Sequence, residues 1–355
     1  MNQSSGKTKA LLAKRTFVGI VGYGPLYRCE RGQSPISGNF VAKKTNHHYI
    51  PQLYLRGFSA GKGRQAQVFV FDSNTNKSFT TLVRNIGSRR YFNKVDAHGV
   101  GPDHVEDGMS ETEAIIAPHL QKVIEDKDFP SPEHFNSIMN LMAMLSVRNP
   151  RLRSSLGNFH KDMVQRVMSI SVSSKEIWER ETKKMRDTEA PKEKGVTYEE
   201  IKQFHDEGNY KIVIDQTHLI SLELKMIEPV VEKLSQRQWC FAIAPDGHNF
   251  ITCDNPMVLT WSDNVKRPTW FSPGHGLQNT IVIFTLSPDL ALVGTFEDLP
   301  VRVQYVGDQV TALNTAVAQH SIAQIYARDG NFRLRHKDRS NVGGFDLTRI
   351  FLGRT

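Results

Sequence analysis

At 355 residues the chain can build one large core or two ordinary ones. A hydrophobic fraction of 39%, a mean hydropathy of −0.41 and the lack of any apolar run near the roughly 18 residues of a spanning helix argue against membrane insertion. The formal charge of +8 and pI of about 9.3 favour polyanions such as nucleic acid as partners, through the field of the whole molecule.

Part of that charge is terminal. Lys7, Lys9, Lys14, Arg15 and Arg28 stand in the first 29 residues, which hold no acid, and Arg333, Arg335, Lys337, Arg339 and Arg349 crowd the other end. Such tails either bind polyanions or merely solubilise. The three cysteines, Cys29, Cys240 and Cys253, follow neither a disulfide framework nor a zinc-ribbon spacing, so a reducing cytoplasm is expected.

Residues 1–43 are rich in Gly, Ser and Lys and are expected to form a mobile basic leader. Thr16 to Tyr27 has a faint signal-peptide character, but Gly19, Gly22, Gly24 and Pro25 interrupt it. Residues 67–71 and 77–83 are β-rich and flank the turn formers 72–76, which predicts a hairpin. Helical spacing begins at Ser110, with Asp103 or Ser110 as the cap and Pro118 expected to kink or restart the helix.

A second helix is expected after Pro130, with Ser131 as N-cap and Pro132 at the first helical position, running to Arg148-Asn149-Pro150. Helix resumes over 151–170. Residues 173–209 are charge-rich and read as a protruding helical insertion, and an amphipathic helix follows over 213–236 with Pro229 as a kink. Beyond Arg237 short strands are expected at 238–244, 249–252, 280–285, 290–293 and 301–306, with Asp246-Gly247 as a hairpin turn and a closing helix over 310–326. The fold class is therefore α+β, an antiparallel sheet built from N- and C-terminal segments around a central helical region at about 110–236. The expected organisation is a leader (1–43), one domain (44–328) and a basic C-terminal tail (329–355).

The densest chemistry lies in Asn46-His47-His48-Tyr49-Ile50-Pro51-Gln52-Leu53-Tyr54-Leu55-Arg56-Gly57-Phe58. Adjacent imidazoles on an extended chain point to opposite faces, so one is a ligand or base and the other orients it or is structural. Glu106 and Glu113, seven apart, share a helix face but lie about 10 Å apart along its axis. Asp254, followed by Asn255-Pro256, is a carboxylate on a rigid turn, suited to a base or a ligand and equally to ordinary turn chemistry. Arg148 complements a helix C-terminus or clamps an anion, and Arg56 beside the histidines has the same two roles open to it. Gly19 to Gly24 lacks the order of a dinucleotide fingerprint and is set aside.

These motifs, with Leu286-Ser287-Pro288-Asp289 and Asn314 leading to Ile325-Tyr326-Ala327, resemble in order the domain-of-unknown-function family 4238, over residues 44 to 328. Cys253 and Asn149 depart from the residues common there. The resemblance implies a shared fold and a shared site. Two functions are expected. One is a metal-dependent hydrolase, a phosphodiesterase or nuclease in a microbial defence or toxin setting. In that reading His47, His48, Asp254, Asn255 and Arg148 act in catalysis, and His48, Glu106, Glu113 and Asp254 hold Mg, Mn or Zn. Arg56 and Arg148 then bind substrate. The other is a non-catalytic nucleic-acid or protein binding module with a structural His-His block.

Overall fold

A computed structural model describes residues 27–29, 45–61, 63–188, 197–263, 265–336 and 340–348. In chain order these form β1 (Tyr27–Cys29), β2 (Asn46–His48), α1 (Gln52–Leu55), β3 (Gln67–Asp72), β4 (Lys77–Leu82) and β5 (Ser88–Arg90). The helices α2 (His104–Asp126), α3 (Pro132–Val147), α4 (Pro150–Ser171), α5 (Lys175–Thr188) and α6 (Tyr198–Glu207) follow. After β6 (Ile212–Ile214) and α7 (Gln216–Ser235) come β7 (Gln238–Ile243), β8 (Thr252–Cys253), β9 (Val258–Trp261), β10 (Thr280–Ser287), β11 (Leu290–Thr295) and β12 (Arg302–Gln304). The described chain closes with α8 (Gly307–His320), β13 (Gln324–Ala327), β14 (Arg333–Arg335) and β15 (Asn341–Gly343).

The fold is α+β, and one of its sheets joins the two ends of the domain. Its order is β4-β3-β13-β8, every pair antiparallel, with Tyr326 opposite Val70. The second sheet, β12-β7-β11-β10-β9, is antiparallel except where β12 runs parallel to β7. One apolar core contains Tyr54, Leu141, Leu145, Leu234, Phe284 and Leu292, between the helices and the sheets. A second, with Phe71, Phe250, Val317 and Phe332, underlies α8.

The Leu53-to-Phe58 part of the histidine block staples the sheets together. Tyr54 is fully buried, its ring stacks on Phe284 at 5.0 Å, and its hydroxyl lies 2.7 Å from Thr252 Oγ1 while donating to the Thr285 carbonyl at 2.8 Å. Thr252 belongs to one sheet and Thr285 to the other. Gly57 is required by the same packing, because a Cβ there would stand 2.9 Å from the Leu286 carbonyl oxygen.

Several expected boundaries move. The helix expected from Ser110 starts six residues earlier, so Glu106 and Asp107 occupy its first turn, where the helix dipole favours acids. It also runs unbroken through Pro118: Pro118 and Ala114, whose carbonyl loses its partner, are both exposed, and water can satisfy the carbonyl. The helix expected over 310–326 ends at His320, and Gln324–Ala327 is instead an inner strand, its Ile325, Tyr326 and Ala327 buried on both sheet faces. Val213 belongs to β6, and Asp215 begins the next helix by accepting the His218 amide at 3.1 Å. Asp246-Gly247 makes no hairpin: β7 pairs with β11 and β12, and the turn sends the chain to the other sheet.

Short strands are described near both ends. Tyr27–Cys29 pairs with β6; the rest of 1–43 lies outside the described residues, as do 189–196 of the charge-rich insertion. Arg333–Arg335 pairs antiparallel with Asn341–Gly343, and Phe332 and Leu334 are buried in the core under α8. Among the described residues no helix is long and apolar enough to cross a membrane.

Candidate functional site

Strand β2 pairs antiparallel with β5, His47 opposite Arg89, and alternation sends the two imidazoles apart as the extended chain requires. His47 is completely buried. Its Nδ1 accepts the backbone N–H of Asn93 at 2.8 Å, which places the proton of the neutral ring on Nε2, 3.9 Å from Asp103 Oδ1. In this arrangement Nδ1 is committed to the Asn93 amide. His48 is half-buried and hydrogen-bonds the Arg84 carbonyl, while its Nε2 has no hydrogen-bond partner among the described residues. Burial lowers its pKa against opposing pulls from that carbonyl and from Glu106.

Asn93 is the hub of the cluster and has no exposed surface. Besides its amide, its Nδ2 donates to Glu106 Oε2 at 2.6 Å, and its Oδ1 accepts from Arg148 at 3.3 Å. Glu106 Oε2 also lies 3.9 Å from His47 Nδ1. Five segments therefore meet here: β2, the turn after β5, the first turn of α2, the junction of α3 with α4, and α7 behind it.

Arg148-Asn149-Pro150 forms the α3–α4 junction. Arg148 ends α3, Asn149 caps α4 by accepting the Leu152 amide at 2.8 Å, and Pro150 takes the first helical position, where a missing N–H costs nothing. Arg148 is buried, which lowers its pKa; Glu113 and then Glu223 pull it back. Next to it the Arg153 guanidinium grips Glu223 by two bonds of 2.6 and 2.5 Å, donates to the Phe92 carbonyl and lies 3.6 Å from the Phe92 ring centroid.

Asp254 serves a different place. Its Oδ1 accepts the amide of Ile322 at 2.7 Å and its Oδ2 those of Ala323 and Gln324 at 2.8 and 2.9 Å. Asn255 donates to the His320 carbonyl at 3.2 Å. Together they clamp the exit of α8 into β13. Burial pushes the Asp254 carboxyl up, and the three amides pull it back down. The histidine block reaches this region through Tyr49, which hydrogen-bonds Tyr326 and whose hydroxyl burial pushes up to about 12.

Of the expected ligand set, His48, Glu106, Glu113 and Asp254 are not gathered around one point. Among the described residues no three His, Cys, Asp or Glu side chains are placed to hold a metal ion. Glu106 is engaged by Asn93, and Asp254 by three amides. Sequence reasoning missed Asn93, Asp103, Arg153 and Glu223. For Glu223 a signal existed, since an acid at that position falls on the apolar stripe of α7 between Ile220 and Ile227.

Outside the cluster the same turn presents charge to solvent. Arg89, Arg90, Tyr91 and Lys94 are exposed, with Arg90 Cζ 5.4 Å and Lys94 Nζ 5.6 Å from the Tyr91 ring centroid. Tyr91 has φ of 55°, a left-handed conformation that is uncommon for a bulky side chain. Three contacts hold it there: its amide donates to the Thr45 carbonyl at 2.8 Å, its carbonyl accepts from Gln216 Nε2 at 2.9 Å, and the His47 ring stands edge-on to it at 6.4 Å. Arg56 is exposed on another side of the block.

Comparison with known proteins yields no matching curated protein and no matching solved structure. One family model matches residues 46–331, from the asparagine before the histidine pair to the residue before Phe332, and by that match the chain belongs to the family described as protein of unknown function DUF4238.

Proposed function

We propose that the protein binds single-stranded nucleic acid, with Tyr91 as a stacking platform and Arg89, Arg90 and Lys94 as phosphate contacts. The carrying observation is an exposed aromatic ring held in a left-handed backbone conformation with two cations within 6 Å of it. Such a conformation costs on the order of 1 kcal/mol or more and persists where surrounding contacts enforce it. In this reading the His47–Asn93–Glu106–Arg148 cluster is the scaffold: it fixes the turn that presents Tyr91, and the net charge of +8 supplies long-range attraction.

Base–aromatic stacking contributes about 1–3 kcal/mol per base, so Tyr91→Ala weakens binding of a labelled oligonucleotide by about fivefold or more. Replacing Arg89, Arg90 and Lys94 by Ala flattens the salt dependence, by about 0.7 in log–log slope for each phosphate that is no longer neutralised. Fluorescence anisotropy at several salt concentrations reads both. An unchanged affinity in Tyr91→Ala, or no binding by the full chain at low salt, overturns the reading. The same samples, incubated with Mg2+, Mn2+ or Zn2+ and run on a gel, test the phosphodiesterase expectation. Cleavage abolished by His48→Ala would make His48, whose Nε2 is uncommitted, the acid–base group.

A further inference from the structure

A separate cavity of about 240 Å3 opens beside the histidine block, between α1, the loop before β3 and the turn after β4. Arg56, Arg64 and Arg84 line it together with Gln52 and Val83, and no carboxylate is among its lining residues. The three guanidinium-bearing residues come from three different segments. Gly61 and Gly63, at φ of 82° and 63°, stand in the turn before Arg64, which is closed by paired bonds between Ala60 and Gln67 of 2.7 and 2.9 Å. Arg84 is fixed from behind by the bond between His48 and its carbonyl.

Arg56, Arg64 and Arg84 are exposed, so water and salt screen much of their mutual repulsion, and an anion in the hollow relieves what remains. The cavity is smaller than the roughly 300–1,000 Å3 that accommodates a whole drug-sized ligand, so it suits the head group of a ligand. Guanidinium forks match the oxygens of a phosphoryl group in pairs, and the Gln52 amide can add a neutral donor. We infer that this pocket binds a phosphomonoester or phosphate dianion, at a site distinct from the Tyr91 surface. The bond from His48 to the Arg84 carbonyl links the pocket to the histidine block through one backbone group.

Inorganic phosphate tests this directly, because it carries no base to stack on Tyr91 and its result does not depend on the function proposed above. Titration calorimetry of the full chain against phosphate, at ionic strength held constant with chloride, is expected to show one saturable site. Arg64→Ala and Arg84→Ala each weaken it by tenfold or more, whereas the exposed Lys122→Ala leaves it unchanged. Arg84→Lys retains charge without the fork and weakens phosphate binding less than Arg84→Ala does. Thermal melts of each variant without phosphate establish that it is folded. Absence of saturation, or equal affinity in all the variants, overturns the inference. Two further arms identify the source of the phosphoryl group. Preference for a 5′-phosphorylated over a 5′-hydroxyl oligonucleotide assigns a strand end, and tight binding of a nucleoside monophosphate with no such preference assigns a small molecule.

Discussion

Asp254 and His47 look like catalytic residues in the sequence, and in the structure both also accept backbone amides. Asp254 spends both oxygens on three successive amides. Its replacement by Ala leaves those part-buried donors without a protein acceptor, at up to about 1–3 kcal/mol for each one that water does not reach. We expect Asp254→Ala to lower stability by about 3–5 kcal/mol in urea unfolding, and Asp254→Asn, which keeps one carbonyl oxygen, by roughly half as much. A loss below about 1 kcal/mol in Asp254→Ala would reject the clamp. His47→Ala likewise strips the acceptor from a buried amide and opens a cavity, an expected loss of about 2–4 kcal/mol, whereas the half-buried His48 is expected to cost about 1 kcal/mol. Parallel melts of the two variants separate a structural imidazole from one available for chemistry.

Between elements, the decisive contacts are those that join segments far apart in sequence. Tyr54→Phe removes the hydroxyl shared by Thr252 and Thr285 and is expected to cost about 1–3 kcal/mol; Gly57→Ala, driving a methyl against the Leu286 carbonyl, about the same. Unfolding measured by tryptophan fluorescence and by circular dichroism should shift together in both variants, since the staple couples the two sheets; separated transitions would contradict that coupling. Local signals carried much of the architecture into the sequence. The β3–β4 turn was legible because Asp72 and the residues after it are turn formers, and the start of α3 because a proline at the first helical position is a local signal. The inner strand Gln324–Ala327 was not, because Ile325-Tyr326-Ala327 continues the apolar character of α8 and only pairing with β3, some 250 residues away, makes it a strand. The hub Asn93 was invisible for a similar reason: a single asparagine after Phe92 carries no pattern, and its importance comes from partners supplied by other segments.

Over the whole molecule, burial acts on imidazoles in several places at once and gives stability a predictable pH dependence. His48, His218, His275 and His320 all have their pKa lowered, with burial the first cause in each, and His275 falls to about 4. A histidine whose folded value lies below its unfolded value of 6.5 binds fewer protons in the native state, so unfolding takes up protons. The stability it contributes is complete above about pH 6.5 and is lost as pH falls through the folded value. For His275 that window runs from about 6.5 down to about 4, beside the Arg237 guanidinium and with Nε2 2.7 Å from the Ser146 hydroxyl. A full shift of that size corresponds to about 3 kcal/mol at 1.36 kcal/mol per unit, and the half-open ring reduces it through solvent screening. Urea midpoints measured from pH 7.5 to 4.5 should therefore fall steadily below pH 6.5. His275→Gln, which keeps a polar contact to Ser146 without a titrating ring, should lose less over the same interval. The net positive charge grows in both proteins as other groups protonate, so the difference between their profiles isolates His275. Parallel profiles would show that the ring is hydrated enough to titrate normally, and the Ser146–His275 contact would then contribute no acid sensitivity.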